Sequence, residues 1–427
     1  MKNFNNFLLI LFANLIFLSS AQSETYYVNS ATGNNSNSSI QAKNIVTPWL
    51  TVQYAIDNAA VMNGDNIVVA EGTYAGFTLT KRINIIGAWK GGTAAVNTIF
   101  NSSVNLSAPG GSPTERMFLK NLRVTATSGD AISMNKGYVT LENVGASTTG
   151  VNGIRINDFF IKDVLIESCN INNNNYAGIF IPTFSDIDGF VMRNSTVSNN
   201  GYFGIVAFQR RVAPAEVKNV EISHCAFVDN NPSNQIQGHT IYFEKLKNAI
   251  FKNITVAMPL TNERIGIDIN LLSRTDYSNI TIENSRITRQ TPGSGIWIQA
   301  RNDLLDPPAA LDTVVLRGLT FNLCDTNIAF NRQVKRMTVD KCDLSTYSVY
   351  GLVNYTDQDG IIEAANNKWQ GGGIPDTTVI SGGLLVTGSP IISFMPSTDG
   401  IFLGMCIQGP GITPGATVIG KSPNTII

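Results

Sequence analysis

The sequence predicts an all-β fold, a parallel β-helix in which short strands stack coil upon coil. The main observation is a pattern that occurs ten times between residues 117 and 369. In each copy the residues four before, two before and three after a central position are apolar, whereas central positions lie 22 to 34 residues apart. Constant local alternation with variable spacing is typical of a solenoid with loops of different length. The central positions, here called rungs, are Asn121, Asn143, Ser168, Asn194, His224, Asn253, Asn284, Gly318, Lys341 and Asn366.

A further strand is predicted in each coil after the two that flank the rung. Its pattern is a small residue followed by apolar alternation, as in the segments GIRIN, GIFIP, GIVAF, GIDIN and GIWIQ. Three short strands per coil are the arrangement of a parallel β-helix. We expect the amides of Asn194 and Asn253 to turn inward at their rungs and to bond along the stack. His224 replaces asparagine at a rung and is expected to be a turn or buried residue.

The first 21 residues are typical of a signal peptide. Lys2 precedes an apolar run over residues 7–18, and Ser19, Ser20 and Ala21 supply the small residues of a cleavage site. The apolar run is too short to span a membrane comfortably. The sequence therefore predicts an exported protein, extracellular or at the cell surface, without a membrane span in the mature chain.

Three further regions follow the signal peptide. Residues 22–63 form an entry segment with a capping helix, because Val52, Ala55, Ile56 and Ala59 fall on one helical stripe and Thr51 can act as the N-cap. Such a helix would cover the open end of the solenoid. The parallel β-helix is predicted over residues 64–370. Residues 371–427 are predicted to be a glycine-rich linker and a small C-terminal β module.

Composition narrows the possible partners. Charged residues make up 14% of the chain and the formal net charge is −1, which argues against binding to nucleic acid. Of five cysteines, Cys169, Cys225 and Cys342 each follow a rung directly. Cys169 and Cys225 are two coils apart, roughly 10 Å, which exceeds the reach of a disulfide. We expect buried thiols, no disulfide and a monomeric solenoid.

The repeat resembles the right-handed parallel β-helix, or pectin-lyase-like, superfamily. The resemblance covers residues 64–369, and the segment AIDNAAVMNGDNIVVAEGTY is similar to the opening of its polysaccharide-lyase and surface members. It implies that a polysaccharide or surface glycan lies along the sheet made by the Gly-Ile-x-Ile strands. It also implies Ca²⁺ as a possible cofactor if the protein is a lyase. No specific lyase or hydrolase signature is present, and no metal ligands are predicted.

Outward residues of these strands form two rows in which aromatic rings alternate with amides and charges. Sugar rings stack on aromatic faces while their hydroxyls take hydrogen bonds from polar side chains. The alternative is that loops fold over this face and that the rings form a second layer of core. The candidate substrate-binding residues are Arg155, Phe180, Phe208, Tyr242, Trp297, Gln299 and Arg301.

Four residues are candidates for catalysis. Asp268 and Glu244 lie on neighbouring coils, roughly 8 Å apart, within the window for an inverting glycosidase pair. His239 and Arg264 flank the same face. The alternative is a solvated acidic pair without a catalytic role. The sequence thus leaves two functions open: a secreted or cell-surface protein that binds extracellular polysaccharide, or a polysaccharide lyase or glycoside hydrolase that acts in the same groove.

Overall fold

The computed structural model describes residues 23–91, 97–108, 111–210, 214–259, 265–289, 293–302, 308–357 and 360–369, together with 384–385, 392–393, 418, 421–422 and 425–427. The predicted signal peptide, Arg264, Cys406 and most of the predicted C-terminal module lie outside these residues. The described residues contain two short helices, α1 (Ser39–Ala42) and α2 (Val52–Asp57). None of the helices in the described part of the chain is long and apolar enough to span a membrane.

The remaining regular structure is β-strand. The first half of the chain contains β1 Thr25–Val28, β2 Asn66–Val69, β3 Gly72–Tyr74, β4 Thr78–Leu79, β5 Asn84–Ile86, β6 Thr98–Phe100, β7 Val104–Leu106, β8 Met117–Ala126, β9 Ile132–Met134, β10 Val139–Thr148, β11 Ile154–Ile156, β12 Phe160–Glu167, β13 Asn170–Asn172, β14 Ala177–Ile181, β15 Asp186–Arg193, β16 Thr196–Ser198 and β17 Phe203–Ala207. The second half contains β18 Val217–Ser223, β19 Ala226–Val228, β20 His239–Phe243, β21 Lys247–Lys252, β22 Thr255–Ala257, β23 Ile267–Leu271, β24 Tyr277–Glu283, β25 Arg286–Thr288, β26 Ser294–Ala300, β27 Leu311–Arg317, β28 Thr320–Asn322, β29 Cys324–Arg332, β30 Arg336–Asp340, β31 Asp343–Leu344, β32 Tyr347–Thr356, β33 Ile361–Ala365, β34 Lys368–Trp369, β35 Leu384–Leu385, β36 Ile392–Ser393, β37 Lys421–Ser422 and β38 Thr425–Ile426.

The strands confirm the predicted solenoid. Eleven of them form one parallel sheet in the order β4-β7-β9-β11-β14-β17-β20-β23-β26-β29-β32, here called the groove sheet. Twenty-three others, among them the strands on either side of each rung, form a longer sheet that closes each coil. The last four strands, β35 to β38, pair antiparallel in a separate small sheet.

One stack of isoleucines fixes the register of the groove sheet. Each member pairs with the next across neighbouring coils and has no exposed surface. Since a slip of one residue would turn every isoleucine to the outer face, the stack specifies which side chains point outward. The stack consists of Ile132, Ile154, Ile179, Ile205, Ile241, Ile267, Ile296 and Ile328.

The predicted capping helix is confirmed as α2, although it is short. Thr51 is its N-cap and accepts a hydrogen bond from the backbone N–H of Tyr54, and Val52, Ala55 and Ile56 are buried against the first coil. Ala59 lies beyond the helix and is exposed. Helix α1, which the sequence did not predict, carries a capping box between Ser38 and Gln41.

All ten rungs have a positive φ between 50° and 60°. At each rung a single left-handed residue bends the chain, within β8 at Asn121, within β10 at Asn143 and between two strands elsewhere. Asparagine and glycine adopt this conformation most readily. The inward orientation expected for Asn194 and Asn253 is wrong, because both side chains are exposed. The reason is that the left-handed bend turns the amide to the surface. There Asn253 bonds to the ring of His224 at 3.0 Å.

The backbone conformation of the rungs makes a testable prediction at Asn253. Alanine there should lower the free energy of unfolding by about 1–2 kcal/mol, because the left-handed region costs an ordinary residue that much. Glycine should restore most of this loss, since it lacks the strained Cβ. Thermal unfolding of Asn253→Ala and Asn253→Gly checks the prediction, and equal melting temperatures would contradict it.

Cys169, Cys225, Cys324 and Cys342 are buried thiols without a disulfide. Burial raises the pKa of Cys169 and Cys324 to about 12, and that of Cys225 and Cys342 to about 11. These thiols therefore remain protonated and unreactive at neutral pH. They act as small apolar residues of the core.

Candidate functional site

The outward side chains of the groove sheet stand side by side in the order predicted from the alternation. Each pairs with its neighbour in the next coil, so the first row crosses eight strands. In the second row Asn270 pairs with Gln299, and Gln299 with Asn331. The first row consists of Ser133, Arg155, Phe180, Val206, Tyr242, Asp268, Trp297 and Ala329.

The centre of this face holds five polar side chains, His239, Tyr242, Glu244, Asp268 and Asn270, here called the polar cluster. They come from β20, the residue just after it, and β23. The ring of His239 stacks on that of Tyr242, with centroids 5.1 Å apart and planes 10° from parallel. The structure therefore brings together three of the four predicted catalytic residues, while Arg264 lies outside the described residues.

A chain of hydrogen bonds holds Glu244 in place. The Tyr242 hydroxyl donates to Glu244 Oε1 at 2.9 Å and accepts from Asn270 Nδ2 at 2.8 Å. The backbone N–H of Gln209 donates to Glu244 Oε2 at 2.7 Å. The Gln209 side chain is itself buried and donates to the hydroxyl of Tyr277 at 3.0 Å. Glu244 is thus fixed at both oxygens, with a geometry set by two neighbouring coils.

Asp268 is the most unusual residue of the polar cluster. It is 4% exposed, and its Oδ1 has no hydrogen-bond partner among the described residues. Its Oδ2 lies 3.6 Å from Nε2 of His239, which is longer than a hydrogen bond. Burial, with a smaller contribution from the charge of Glu244, raises the pKa of Asp268 to about 8. Asp268 therefore carries a proton at neutral pH and can donate it.

The pKa of Glu244 is shifted in the same direction as that of Asp268, but neighbouring groups offset part of the shift. Burial raises its pKa, whereas the bonds from Gln209 and Tyr242 and the charges of Lys245 and Arg301 lower it. Its carboxylate is therefore the better stabilised of the two acids as an anion. Two acids in one cluster with unequal environments are the arrangement that separates a proton donor from an acceptor. The expectation of a merely solvated acidic pair does not fit the burial of Asp268.

Aromatic side chains cover part of the face beside the polar cluster. Phe203 and Val206 are buried there together with Tyr242, in a cluster separate from the main core. Phe180 and Phe208 pack against it with ring centroids 5.9 Å apart and remain partly exposed. Tyr242 is consequently held by its neighbours rather than open for stacking, as the second-layer alternative anticipated. Phe180 and Phe208 keep accessible ring surface, as do Tyr176 and Tyr202 at the edge.

On the other side of the polar cluster the face is more open. Trp297 is half-buried, and its ring lies 6.2 Å from that of Tyr355, which is 51% exposed. Gln299 accepts a hydrogen bond from Asn331 Nδ2 at 3.3 Å. Arg301 follows directly after β26 and is half-buried. This side therefore offers two rings, two amides and a cation.

The alternation of inward and outward residues along β17 places Phe203 inside, so the sequence did not predict its position on the outer face. The glycine after it, Gly204, faces inward instead, and a Cβ there would lie 3.1 Å from Nδ2 of buried Asn230. Gly204 and Ile205 both face the interior, so the residue before them emerges on the outer face. The small residue that opens each groove strand is the signal for this change of side. Gln209 and Tyr355 had no comparable signal in the sequence.

The described residues contain no group of three histidine, cysteine, aspartate or glutamate side chains arranged to hold a metal ion. A wide depression of about 560 Å³ lies on the longer sheet, between Glu167, Arg193 and Lys252 among others. Its charges pair with one another, Arg193 with Glu167 and Lys252 with Glu221. These side chains are therefore paired, whereas Asp268 on the groove sheet keeps one oxygen unpaired among the described residues.

The geometry agrees with the comparison to known proteins. Residues 164–304 match the family described as "Right handed beta helix region". The chain is therefore a parallel β-helix, and its match to the right-handed family covers residues 164–304. This matched region contains β14, β17, β20 and β23, and hence the whole polar cluster. No curated protein matches the sequence of this β-helix.

Several solved structures are similar to this β-helix. The A-module of mannuronan C-5 epimerase AlgE4 from Azotobacter vinelandii is 15% identical, with a TM-score of 0.48 over 81% of this chain and 100% of that one. Pectate lyase Pel9A is 15% identical, with a TM-score of 0.44 over 85% and 84% of the two chains. The lacto-N-biosidase from Eubacterium ramulus is 10% identical, with a TM-score of 0.44 over 81% and 68%. At identities of 10–15% these similarities concern the fold, so any activity of this β-helix has to be argued from its own residues.

Proposed function

We propose that this β-helix binds an extracellular polysaccharide along the outer face of its groove sheet. The row from Ser133 to Ala329 crosses eight strands, about 34 Å at the usual strand spacing. A face of this length suits a chain of sugars better than a single small molecule. Accessible rings on both sides of the polar cluster, Phe180 and Phe208 on one and Trp297 and Tyr355 on the other, supply stacking surfaces.

We propose further that the polar cluster cleaves the bound chain. The observation that supports this is the buried, protonated carboxyl of Asp268, with one oxygen unpaired among the described residues. A buried polar group without a partner costs stability, and such costs are typical of functional sites. Asp268 would donate its proton to the oxygen of the leaving sugar. Glu244 would accept a proton from the attacking water in a hydrolase. In a lyase, His239 would instead accept the proton next to a uronate carboxylate.

The experiment is incubation of the protein with a panel of neutral and uronic-acid polysaccharides. Reducing ends report hydrolysis, and ultraviolet absorbance reports the unsaturated products of a lyase. Asp268→Asn should slow cleavage by about 10²–10⁴-fold while leaving binding in place, because the acid is lost but the shape is kept. Cleavage by the natural protein should fall as the pH rises past about 8, where Asp268 loses its proton.

The outcomes separate the two parts of the proposal. Binding without any product overturns the enzymatic part. Trp297→Ala should weaken binding about tenfold, since it removes a stacking surface. Asp276→Asn, a surface carboxylate paired with Arg274 and Lys247, is the matched control and should change neither. If no polysaccharide binds, the assignment of the groove sheet is wrong.

The site of action is also a proposal. The apolar segment at residues 7–18, followed by small residues, supports export through a signal peptide. An exported protein meets polysaccharides outside the cell. Determination of the mature N-terminus of the secreted protein checks this, and the expected first residue lies just after Ala21.

A further inference from the structure

We propose that Arg155 forms a subsite for the carboxylate of an acidic sugar, which makes the substrate of the groove sheet an anionic polysaccharide. This rests on the proposed function and specifies its substrate class. Arg155 is the central residue of β11 and lies in the first row between Ser133 and Phe180. Four coils separate it from Asp268, about 19 Å. The carboxylate would therefore belong to a sugar several units from the bond that is cleaved.

The guanidinium of Arg155 is held in place, but among the described residues only its Nε donates a hydrogen bond. Its carbon lies 5.4 Å from the centroid of the Phe180 ring, and its Nε donates to Asn157 Oδ1 at 3.1 Å. Nη1 lies 3.9 Å from Asp130 Oδ2, beyond hydrogen-bond distance. Stacking and the Nε bond fix the plane of the group. The donors at its outer edge are left for a planar anion, which arginine binds through two parallel hydrogen bonds.

The side chains around Arg155 are mostly small and polar and leave room for a sugar. The preceding strands contribute Asn105 and Ser133 to the same row, both small and half-buried. Asn135 and Asn157 line the side, with Asn157 donating to Asn135 at 3.4 Å. The nearby Asp158 is neutralised by Lys136 at 2.5 Å. Asp130 is the carboxylate nearest to Arg155, and its Oδ1 accepts from Asn152 Nδ2 at 2.7 Å.

The test compares one acidic polysaccharide with its carboxyl-reduced form, in which each carboxylate has become a hydroxyl. Calorimetry on the full chain should show tighter binding of the acidic form. Arg155→Gln should weaken that binding about 10- to 100-fold and leave the reduced form unaffected. Arg155→Lys keeps the charge but loses the two parallel N–H donors of the guanidinium, so most of the preference for the acidic form should disappear. A sulfated neutral polysaccharide forms a separate arm, and a response to Arg155→Gln confined to it would overturn the carboxylate assignment.

The matched control is Arg123→Gln. Arg123 lies on β8 in the longer sheet and is also stacked on an aromatic ring, that of Trp89, at 5.9 Å. This variant should bind the acidic polysaccharide as the natural protein does. Equal losses in the Arg155 and Arg123 variants, or equal binding of the acidic and reduced forms, would overturn the inference alone. Absence of binding by any polysaccharide would overturn the proposed function with it.

Discussion

Replacing Asp268 by asparagine is expected to stabilise the protein, and to do so more strongly as the pH rises. The folded protein keeps the Asp268 proton up to pH about 8, whereas the ordinary pKa of aspartate is 3.8. Unfolding therefore releases a proton between pH 4 and 8, and stability falls across this window by about 1.4 kcal/mol per pH unit. Asparagine has no such proton. The advantage of Asp268→Asn should grow from nearly zero at pH 4 to about 5 kcal/mol at pH 8.

Urea unfolding at pH 5 and pH 8 measures this difference. Asp276→Asn is the control with the opposite sign, because hydrogen bonds from Arg274, and then from Lys247, lower the pKa of Asp276. That variant should lose stability at neutral pH and regain parity with the natural protein only in acid. Equal pH slopes for Asp268→Asn and the natural protein would mean that Asp268 is ionised in the folded state and paired with His239. A stability cost of this size at a natural residue would support the catalytic role proposed for Asp268.

The fold could be predicted because its signal is local and repeated. Every rung has apolar residues at the same offsets, and these offsets do not depend on the loops between coils. The isoleucine stack then fixes which residues face outward, and this is why the row through Arg155, Tyr242 and Asp268 could be aligned from the sequence. What the pattern could not supply was the orientation of the rungs. At Asn194 and Asn253 the left-handed bend between two strands turns the side chain away from the core.

The site was only partly predictable, because its details depend on contacts between distant loops. The backbone N–H of Gln209 donates to Glu244, although the two residues lie 35 positions apart in the chain. Phe203 and Phe208 bury Tyr242, which the sequence placed on an open surface. An interior ladder in which Asn174 donates to Asn200 and Asn200 to Asn230, at 2.7 and 2.8 Å, also had no visible signal. In a chain so rich in asparagine, the buried amides look the same as the exposed ones.

Lys245 shows how one buried amino group connects the scaffold to the site. It follows Glu244 directly and is completely buried. Its Nζ donates to the backbone carbonyls of Pro182, Thr183 and Ser185, at 2.9, 3.2 and 2.7 Å. These carbonyls belong to a turn about 60 residues earlier in the chain. Burial lowers the pKa of Lys245 to about 7. In its protonated form Lys245 satisfies three acceptors and ties the end of β20, and with it Glu244, to the turn after β14.

Lys245→Met is accordingly expected to lower the free energy of unfolding by about 3–5 kcal/mol, because it leaves buried carbonyls without a donor. Lys247→Met is the matched control: two residues further on, Lys247 pairs with Asp276 at the surface at 2.8 Å, and its loss should cost at most about 1 kcal/mol. Urea unfolding compares the two variants. Since Lys245 also anchors Glu244, its replacement should reduce the proposed polysaccharide cleavage under conditions where the variant is still folded. A Lys245 variant as stable as the Lys247 variant would show that the turn at residues 182–185 rearranges to satisfy its own carbonyls, and Glu244 would then owe its position to Gln209 and Tyr242 alone.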